Sequence, residues 1–316
     1  MENNFPSQED IIYAHKNISP FIHCTPVLSS SAINEILGLE VVFKCENFQK
    51  IGAFKIRGAT NAVLKLSDEE KKQGIATHSS GNHAQAIAYS AKVNNIPAYI
   101  VMPKNAPKVK VNAVKGYGAK VIMCEPNLQA REDGLNKVVE ETGARFIHPY
   151  NDYDIITGQA TAAKELIEQT DTLGFIMAPV GGGGLLAGSA LSSHYFSSNT
   201  KIIAGEPAGA DDAFQSFNAG HLIPSNKPNT IADGLLTSVG EKNFPIIQQF
   251  VQDIITVSDE EIISAMKLIW ERMKIIVEPS SAVPFASLIK IKGELQGRKV
   301  GIILSGGNVD LGKLPF

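Results

Sequence analysis

Short apolar runs alternate with helical patterns along almost the whole chain, and this alternation limits the possible folds more than any other feature. Residues 39–44, 75–79, 98–102, 119–123, 174–180, 201–206, 254–257 and 300–304 read as compact strands. Helical spacing fills 7–16, 29–37, 55–66, 84–95, 107–116, 128–141, 158–168, 185–194, 258–273 and 281–291. A strand, a crossover helix and a second strand give parallel neighbours with helices packed on the sheet faces. The expected fold class is therefore α/β, with mainly parallel sheet covered on both sides. A chain of 316 residues suits one large domain or two closely packed ones. The pattern favours a small sheet domain, 66–148, inserted between the two parts of a larger one, 1–65 and 149–316. A cleft between two such sheets is a common place for a cofactor.

Charge narrows the classes of partner. Lys and Arg number 29 against 32 Asp and Glu, a balance that disfavours an electrostatic footprint for nucleic acid. The 44% hydrophobic content disfavours a disordered chain. Cys24, Cys45 and Cys124 are scattered, with neither the spacing of a disulfide framework nor that of a zinc site. The start MENNFPSQED lacks the basic and then apolar order of a secretory signal. No apolar stretch reaches the roughly 18 residues of a membrane span. These features predict a cytoplasmic protein with no membrane or nucleic-acid partner.

Two segments carry chemistry. Gly181, Gly182, Gly183 and Gly184 follow a predicted strand and precede a predicted helix, where backbone amides can surround an anion. The loop lacks the Gly-Lys-Ser/Thr ending of a nucleotide P-loop and the spacing of a dinucleotide fingerprint, so ATP hydrolysis and hydride transfer lose support. A close-packed glycine turn is the competing reading. Lys55, in KIGAFKIRG, precedes a predicted helix; a lysine there can form an imine with an aldehyde cofactor, although a lone lysine is usually a solvated charge.

Taken together, FKCENFQKIGAFKIRGA, THSSGNHAQA, PVGGGGLLAG, GEPAGADD, TIADG, WERMKIIVEPSSA and IILSGGNVD resemble the fold-type II pyridoxal-phosphate enzymes. The likeness is strongest to the serine racemase and serine/threonine dehydratase branch and spans essentially the whole chain. It implies a tryptophan synthase beta-like fold of two open twisted sheet domains flanked by helices. It also implies a Schiff base between pyridoxal 5'-phosphate and Lys55, with Phe54 packing beside the ring and Asn82 bonding the ring hydroxyl. Gly181, Gly182, Gly183, Gly184 and Leu185 match the phosphate loop, and Ser305 matches the residue beside the pyridine nitrogen. A neutral hydroxyl there is expected to leave that nitrogen less protonated than a carboxylate partner would.

Racemisation needs a proton removed on one face of the substrate carbon and returned on the other. The racemase pattern carries a second serine opposite the lysine, and Ser80 stands at that place; its bland reading is a cap on the following helix. Ser79, Ser80, Asn82 and His83 resemble the substrate-carboxylate loop, and Arg131 an arginine at the mouth of the site. His83 also reads as a packed neutral histidine and is not assigned as the base. Glu206, Ala210 and Asp212 match a divalent-cation site whose oxygen ligands suit Mg2+ or Ca2+, with Mn2+ as a further option.

The resemblance implies interconversion of L-serine and D-serine, with accompanying dehydration of serine to pyruvate and ammonia. The alternative is an L-serine/L-threonine or threo-3-hydroxyaspartate ammonia-lyase. Tyr150 bears on it, because it matches a position that is asparagine in mammalian serine racemases and tyrosine in some microbial hydroxyaspartate dehydratases. Cysteine synthase fits less well, and the short stretch after Ser305 argues against a carboxy-terminal amino-acid-sensing domain. A noncatalytic amino-acid sensor on the same fold is a third reading, which intact Lys55, Asn82, tetraglycine loop and Ser305 disfavour. Relatives imply a homodimer, and some animal members an ATP effector.

Overall fold

The structure, a computed structural model, describes residues 5–106 and 108–316. Residues 1–4 and Pro107, the expected start of one helix, lie outside them. Ten strands form two sheets: β1 Val27–Ser29, β2 Glu40–Cys45, β3 Ile75–His78, β4 Ala98–Pro103, β5 Lys120–Cys124, β6 Arg145–Phe146, β7 Phe175–Pro179, β8 Lys201–Pro207, β9 Val251–Val257 and β10 Lys299–Leu304. The first half of the chain supplies helices α1 Gln8–Ile18, α2 Ser31–Leu37, α3 Lys55–Leu64, α4 Asp68–Gln73, α5 Asn82–Val93, α6 Lys108–Gly116 and α7 Leu128–Thr142. The second half supplies α8 Tyr153–Glu168, α9 Gly184–Phe196, α10 Asp212–Ala219, α11 Phe244–Phe250, α12 Asp259–Met273 and α13 Pro279–Ile291.

Sheet order follows burial. The six-stranded sheet runs β1-β2-β10-β7-β8-β9 and the four-stranded sheet β5-β4-β3-β6. Every pairing is parallel except that of β1 with β2. Alternate residues of β10 enter opposite cores: Val300, Ile302 and Leu304 pack with α12 and α13, whereas Ile303 packs with α8 and α9. The small sheet divides likewise, with Ile75, Ile100 and Met102 against α3 and α5, and Ala76 and Val101 against α7. Both sheets are covered on both faces, as the alternation predicts. No helix among the described residues is long and apolar enough to cross a membrane.

Local signals explain most boundaries. Ser7, Ser67 and Ser258 close capping boxes with Asp10, Glu70 and Glu261 at the starts of α1, α4 and α12. Expectation and structure differ at α8, which begins at Tyr153 rather than 158 because Asp152 accepts from the N–H groups of Asp154 and Ile155. Two short strands, β1 and β6, and helices α4, α10 and α11 carry too few periodic residues to stand out in the sequence.

Helices α3 and α8 cross with their backbones nearly touching at Gly58 and Gly158. A methyl at Gly158 would lie 2.6 Å from Gly58 Cα and 2.7 Å from the Arg57 carbonyl oxygen. Gly58 N–H donates to Gln159 Oε1 across the same contact at 3.2 Å. Backbone atoms cannot give way as a flexible side chain can, so Gly158→Ala is expected to lower unfolding stability by about 2 kcal/mol or more. Urea denaturation of the purified variant measures this, and an unchanged midpoint would contradict the packing described.

Candidate active site

The carboxyl ends of β3, β7 and β10 lead directly into the segments singled out in the sequence, where open α/β sheets commonly bind ligands. After β10, Ser305 O accepts from Phe54 N–H at 3.0 Å, and Gly306 bridges Ala53. Phe54, Lys55 and Ser305 therefore meet through backbone pairing. Lys55 opens α3, and its Nζ donates to Pro149 O at 2.9 Å while lying 5.2 Å from the Phe54 ring centroid. Loss of water around the half-buried Lys55 pulls its ammonium down to about 8, against the attraction of the Glu278 carboxylate.

Asn82, at the start of α5, is tied to the large sheet. Its Nδ2 donates to Glu278 Oε1 and Oε2 at 2.9 and 3.2 Å, and its Oδ1 accepts from Asn308 Nδ2 at 2.9 Å. Asn308 also donates to Ile51 O and, through its backbone, to Glu278 Oε2. Glu278 is 4% exposed, and burial together with the charge of Asp233 pushes it up to about 7. Glu278 and Asn308 escaped the sequence reading although both lie in quoted motifs. The available signal was a lone acid between an apolar run and Pro279, which opens α13.

All four glycines of the tetraglycine loop are buried. Gly183 has φ +91°, and a side chain at Gly182 would collide with the Tyr150 ring. Gly182 O accepts from Asn243 Nδ2 at 2.7 Å and from Gly240 N–H at 3.1 Å. The N–H groups of Gly181, Gly182 and Gly183 have no protein acceptor among the described residues. Free amides at the start of a 13-residue helix, with Leu185 in its first turn, suit a phosphate. Close packing and free amides thus coexist in this loop.

The remaining candidates divide into groups. Ser79 and Ser80 are half-buried between β3 and α5; the helix is capped by Gly81 with no side-chain bond, so Ser80 does not serve as its cap. His83 is buried, with Nε2 against Ile147 O at 3.3 Å, and burial together with the Lys55 charge lowers its pKa well below the usual histidine value. Arg131, half-buried on α7, lies near His78, whose pKa its charge helps to lower, and Arg131 Nε is buried without a partner.

Glu206 and Asp212 lie behind the glycine loop. Glu206 accepts from Ala213 and Phe214 N–H, each at 2.8 Å, and Asp212 Oδ2 accepts from Val239 N–H at 3.0 Å. Val239 precedes Gly240, which holds Gly182. Burial pushes Glu206 up to about 9 and Asp212 up to about 6. Asp212 Oδ1 is buried without a partner, and Ala210 is buried on the turn between the two acids.

A family model described as pyridoxal-phosphate dependent enzyme matches residues 18–306. The chain belongs to this family. It is 48% identical to a beta-hydroxyaspartate dehydratase of Paracoccus denitrificans, over 98% of this chain and 99% of that protein. It is 50% identical to a serine racemase of Dictyostelium discoideum, over 97% of this chain and 96% of that one. The crystal structure of the Dictyostelium protein superposes with a TM-score of 0.93, covering 96% of this chain and 99% of the other at 50% identity. The fold is that of the type II pyridoxal-phosphate enzymes.

The residues present fit this cofactor, since free amides, a polar cluster at Asn82 and a lysine of lowered pKa converge. Attack on an aldehyde needs the neutral amine, whose fraction rises as pH climbs through about 8 rather than through the usual lysine range. Labelling of Lys55 in the apoprotein by acetic anhydride, followed by peptide mass spectrometry, should therefore show a midpoint near 8. A midpoint at the value of surface lysines would remove the electrostatic account of Lys55.

Proposed function

We propose that this chain is a pyridoxal-phosphate-dependent serine racemase that also dehydrates serine to pyruvate and ammonia. The observation that carries the reading is Lys55, a half-buried amine of lowered pKa tied through Pro149 and Tyr150 to the glycine loop. Bound pyridoxal phosphate would supply an electron sink for the pair left when the α-proton departs. Lys55 would carry the cofactor and then move the α-proton on one face. The backbone amides of Gly181, Gly182, Gly183, Gly184 and Leu185 would hold the phosphate, with Phe54, Asn82 and Ser305 around the ring. Ser79, Ser80, Asn82, His83 and Arg131 would line the substrate side, His83 through packing rather than by proton transfer.

Ser80 would return a proton on the second face to give the other enantiomer. Loss of the β-hydroxyl would compete with that return, so both outcomes would follow from the same proton removal by Lys55. Incubation of cofactor-loaded protein with L-serine, with D-serine, pyruvate and ammonia measured together, tests the assignment. Ser80→Ala should cut racemisation by about 100-fold or more, the usual scale of a positioned acid or base, with a smaller effect on elimination. Equal loss of both activities would remove the second-face role.

A second reading, an L-serine/L-threonine or threo-3-hydroxyaspartate ammonia-lyase, draws support from the 49% identity to an L-threo-3-hydroxyaspartate ammonia-lyase of Saccharomyces cerevisiae, over 97% of this chain and 94% of that one. Pyruvate and ammonia without D-serine in the same assay would shift the reading to a dehydratase, with turnover of L-threonine and threo-3-hydroxyaspartate then deciding its substrate.

We extend the proposal to a divalent cation held by Glu206, Asp212 and the Ala210 carbonyl. Two buried carboxylates with raised pKa and an unpartnered Asp212 Oδ1 fit a hard cation. Its charge would steady the segment that holds Gly182. Chelation should lower the melting temperature, as removal of a ligand at about 100 times its Kd costs ~2.7 kcal/mol, and Mg2+ or Ca2+ should restore it. No change in melting or turnover would eliminate the site. Domains at 66–148 and its two flanks, a homodimer, a cytoplasmic location and an ATP response rest on pattern and family resemblance and complete the proposal.

A further inference from the structure

A buried ionic cluster stands directly behind Lys55 and takes no part in the chemistry proposed above. Arg57, Lys44 and Glu46 are fully buried, and Glu165 is 3% exposed. Arg57 Nε and Nη2 donate to Glu46 Oε2 and Oε1 at 2.7 and 2.8 Å. Its Nη1 and Nη2 donate to Glu165 Oε1 and Oε2 at 2.8 and 2.7 Å, and Nη1 reaches Thr161 Oγ1 at 3.2 Å. All the donors of the guanidinium are thereby used. Lys44 Nζ holds Glu165 Oε2 at 2.6 Å and also donates to Thr25 O and Gln169 Oε1. Two cations face two anions, so no net charge is buried in this quartet.

Stability alone does not call for such a cluster. Apolar side chains of similar volume often serve as well, because each buried ion must be stripped of water. What a doubly bidentate guanidinium adds is direction, since its planar fork tolerates little misorientation. Its place in the chain suits that use. Lys55 is the first residue of α3, Phe54 before it provides no side-chain cap, and Ile51 sits in the left-handed region at φ 61°. The turn that bears Lys55 therefore has weak local instructions. Arg57 ties that turn to the end of β2 through Glu46 and to α8 through Glu165. Helix α8 in turn follows the Pro149 carbonyl that accepts from Lys55 Nζ.

We infer that Arg57, gripped by Glu46 and Glu165, is a positioning residue for Lys55, fixing the first turn of α3 so that the Lys55 amine points into the cofactor cleft. The inference rests on Lys55 being the cofactor lysine.

Three variants separate positioning from mere stability. Arg57→Lys keeps the charge and loses the fork; Glu46→Gln is milder and keeps an acceptor. Lys44→Met removes a buried charge on β2 that shares Glu165 Oε2 with Arg57 Nη2, while both bonds from Arg57 to Glu165 and the residues of α3 stay in place. Arg57→Lys and Glu46→Gln should each lower kcat by about 10- to 100-fold with little change in KM, the scale of an ångström misplacement. They should also shift the absorption band of the Lys55-bound cofactor and move the labelling midpoint of Lys55 in the apoprotein. Lys44→Met should lower the melting temperature while leaving kcat, absorption and labelling unchanged. If Arg57→Lys does not fold, Glu46→Gln decides.

The positioning role is overturned if the clamp variants lower only the melting temperature, or if Lys44→Met moves kcat and absorption as far as they do. Lys55→Ala keeps the two assignments apart. Loss of its chromophore beside unshifted clamp variants removes the positioning role alone, whereas a chromophore retained in Lys55→Ala removes the cofactor lysine and the clamp's purpose with it.

Discussion

Helices α3 and α8 can approach within backbone contact only because Gly58 and Gly158 carry no side chains, and the rest of the site inherits its geometry from that crossing. The crossing places Arg57 between Glu46 and Glu165, and it sets Lys55 against Pro149, just ahead of α8. Distance and charge act in sequence here. Close packing removes water, and the loss of water makes each remaining ionic contact both stronger and less forgiving.

The same logic governs the cleft. Parallel strands bring several chain segments to one edge of each sheet, and their carboxyl ends deliver Asn82, the glycine loop and Ser305 to a common region. The glycine loop then meets two demands with one residue type. Gly182 makes room for Tyr150, and Gly183 adopts a backbone angle that side chains resist, while the amides of Gly181 to Gly183 have no protein acceptor among the described residues. Asn243 and Gly240 hold the loop by its Gly182 carbonyl, so the N–H groups need not move to receive an anion.

The fold class was legible because crossover topology imprints itself on sequence as an alternation of periods. Long elements such as α12 declared themselves through periodicity and a capping box. The two-residue β6 could not, since two residues carry no period. Motif-borne candidate residues stood out for a related reason: Lys55, Asn82 and Ser305 lie in short continuous segments. Glu278 and the Arg57 cluster were not, because their meaning depends on partners far away in the chain. Arg57 pairs with Glu165 across 108 positions and Glu278 with Asn82 across 196, and a charged residue reads as a solvated one until its partner is known. Ser80 shows the converse, since its bland reading as a cap was reasonable locally and Gly81 occupies that position instead.

Lys55 and Glu278 reach similar proton affinities from opposite directions. Burial lowers the ammonium to about 8 and raises the carboxyl to about 7, which brings their proton affinities far closer together than those of exposed counterparts. A lysine at its usual pKa stays protonated near neutral pH, and an exposed glutamate stays ionised there. Desolvation by one set of helices therefore does two things at once. It brings the Lys55 amine nearer to losing its proton at neutral pH, and it brings the Glu278 carboxyl that faces Asn82 nearer to holding one.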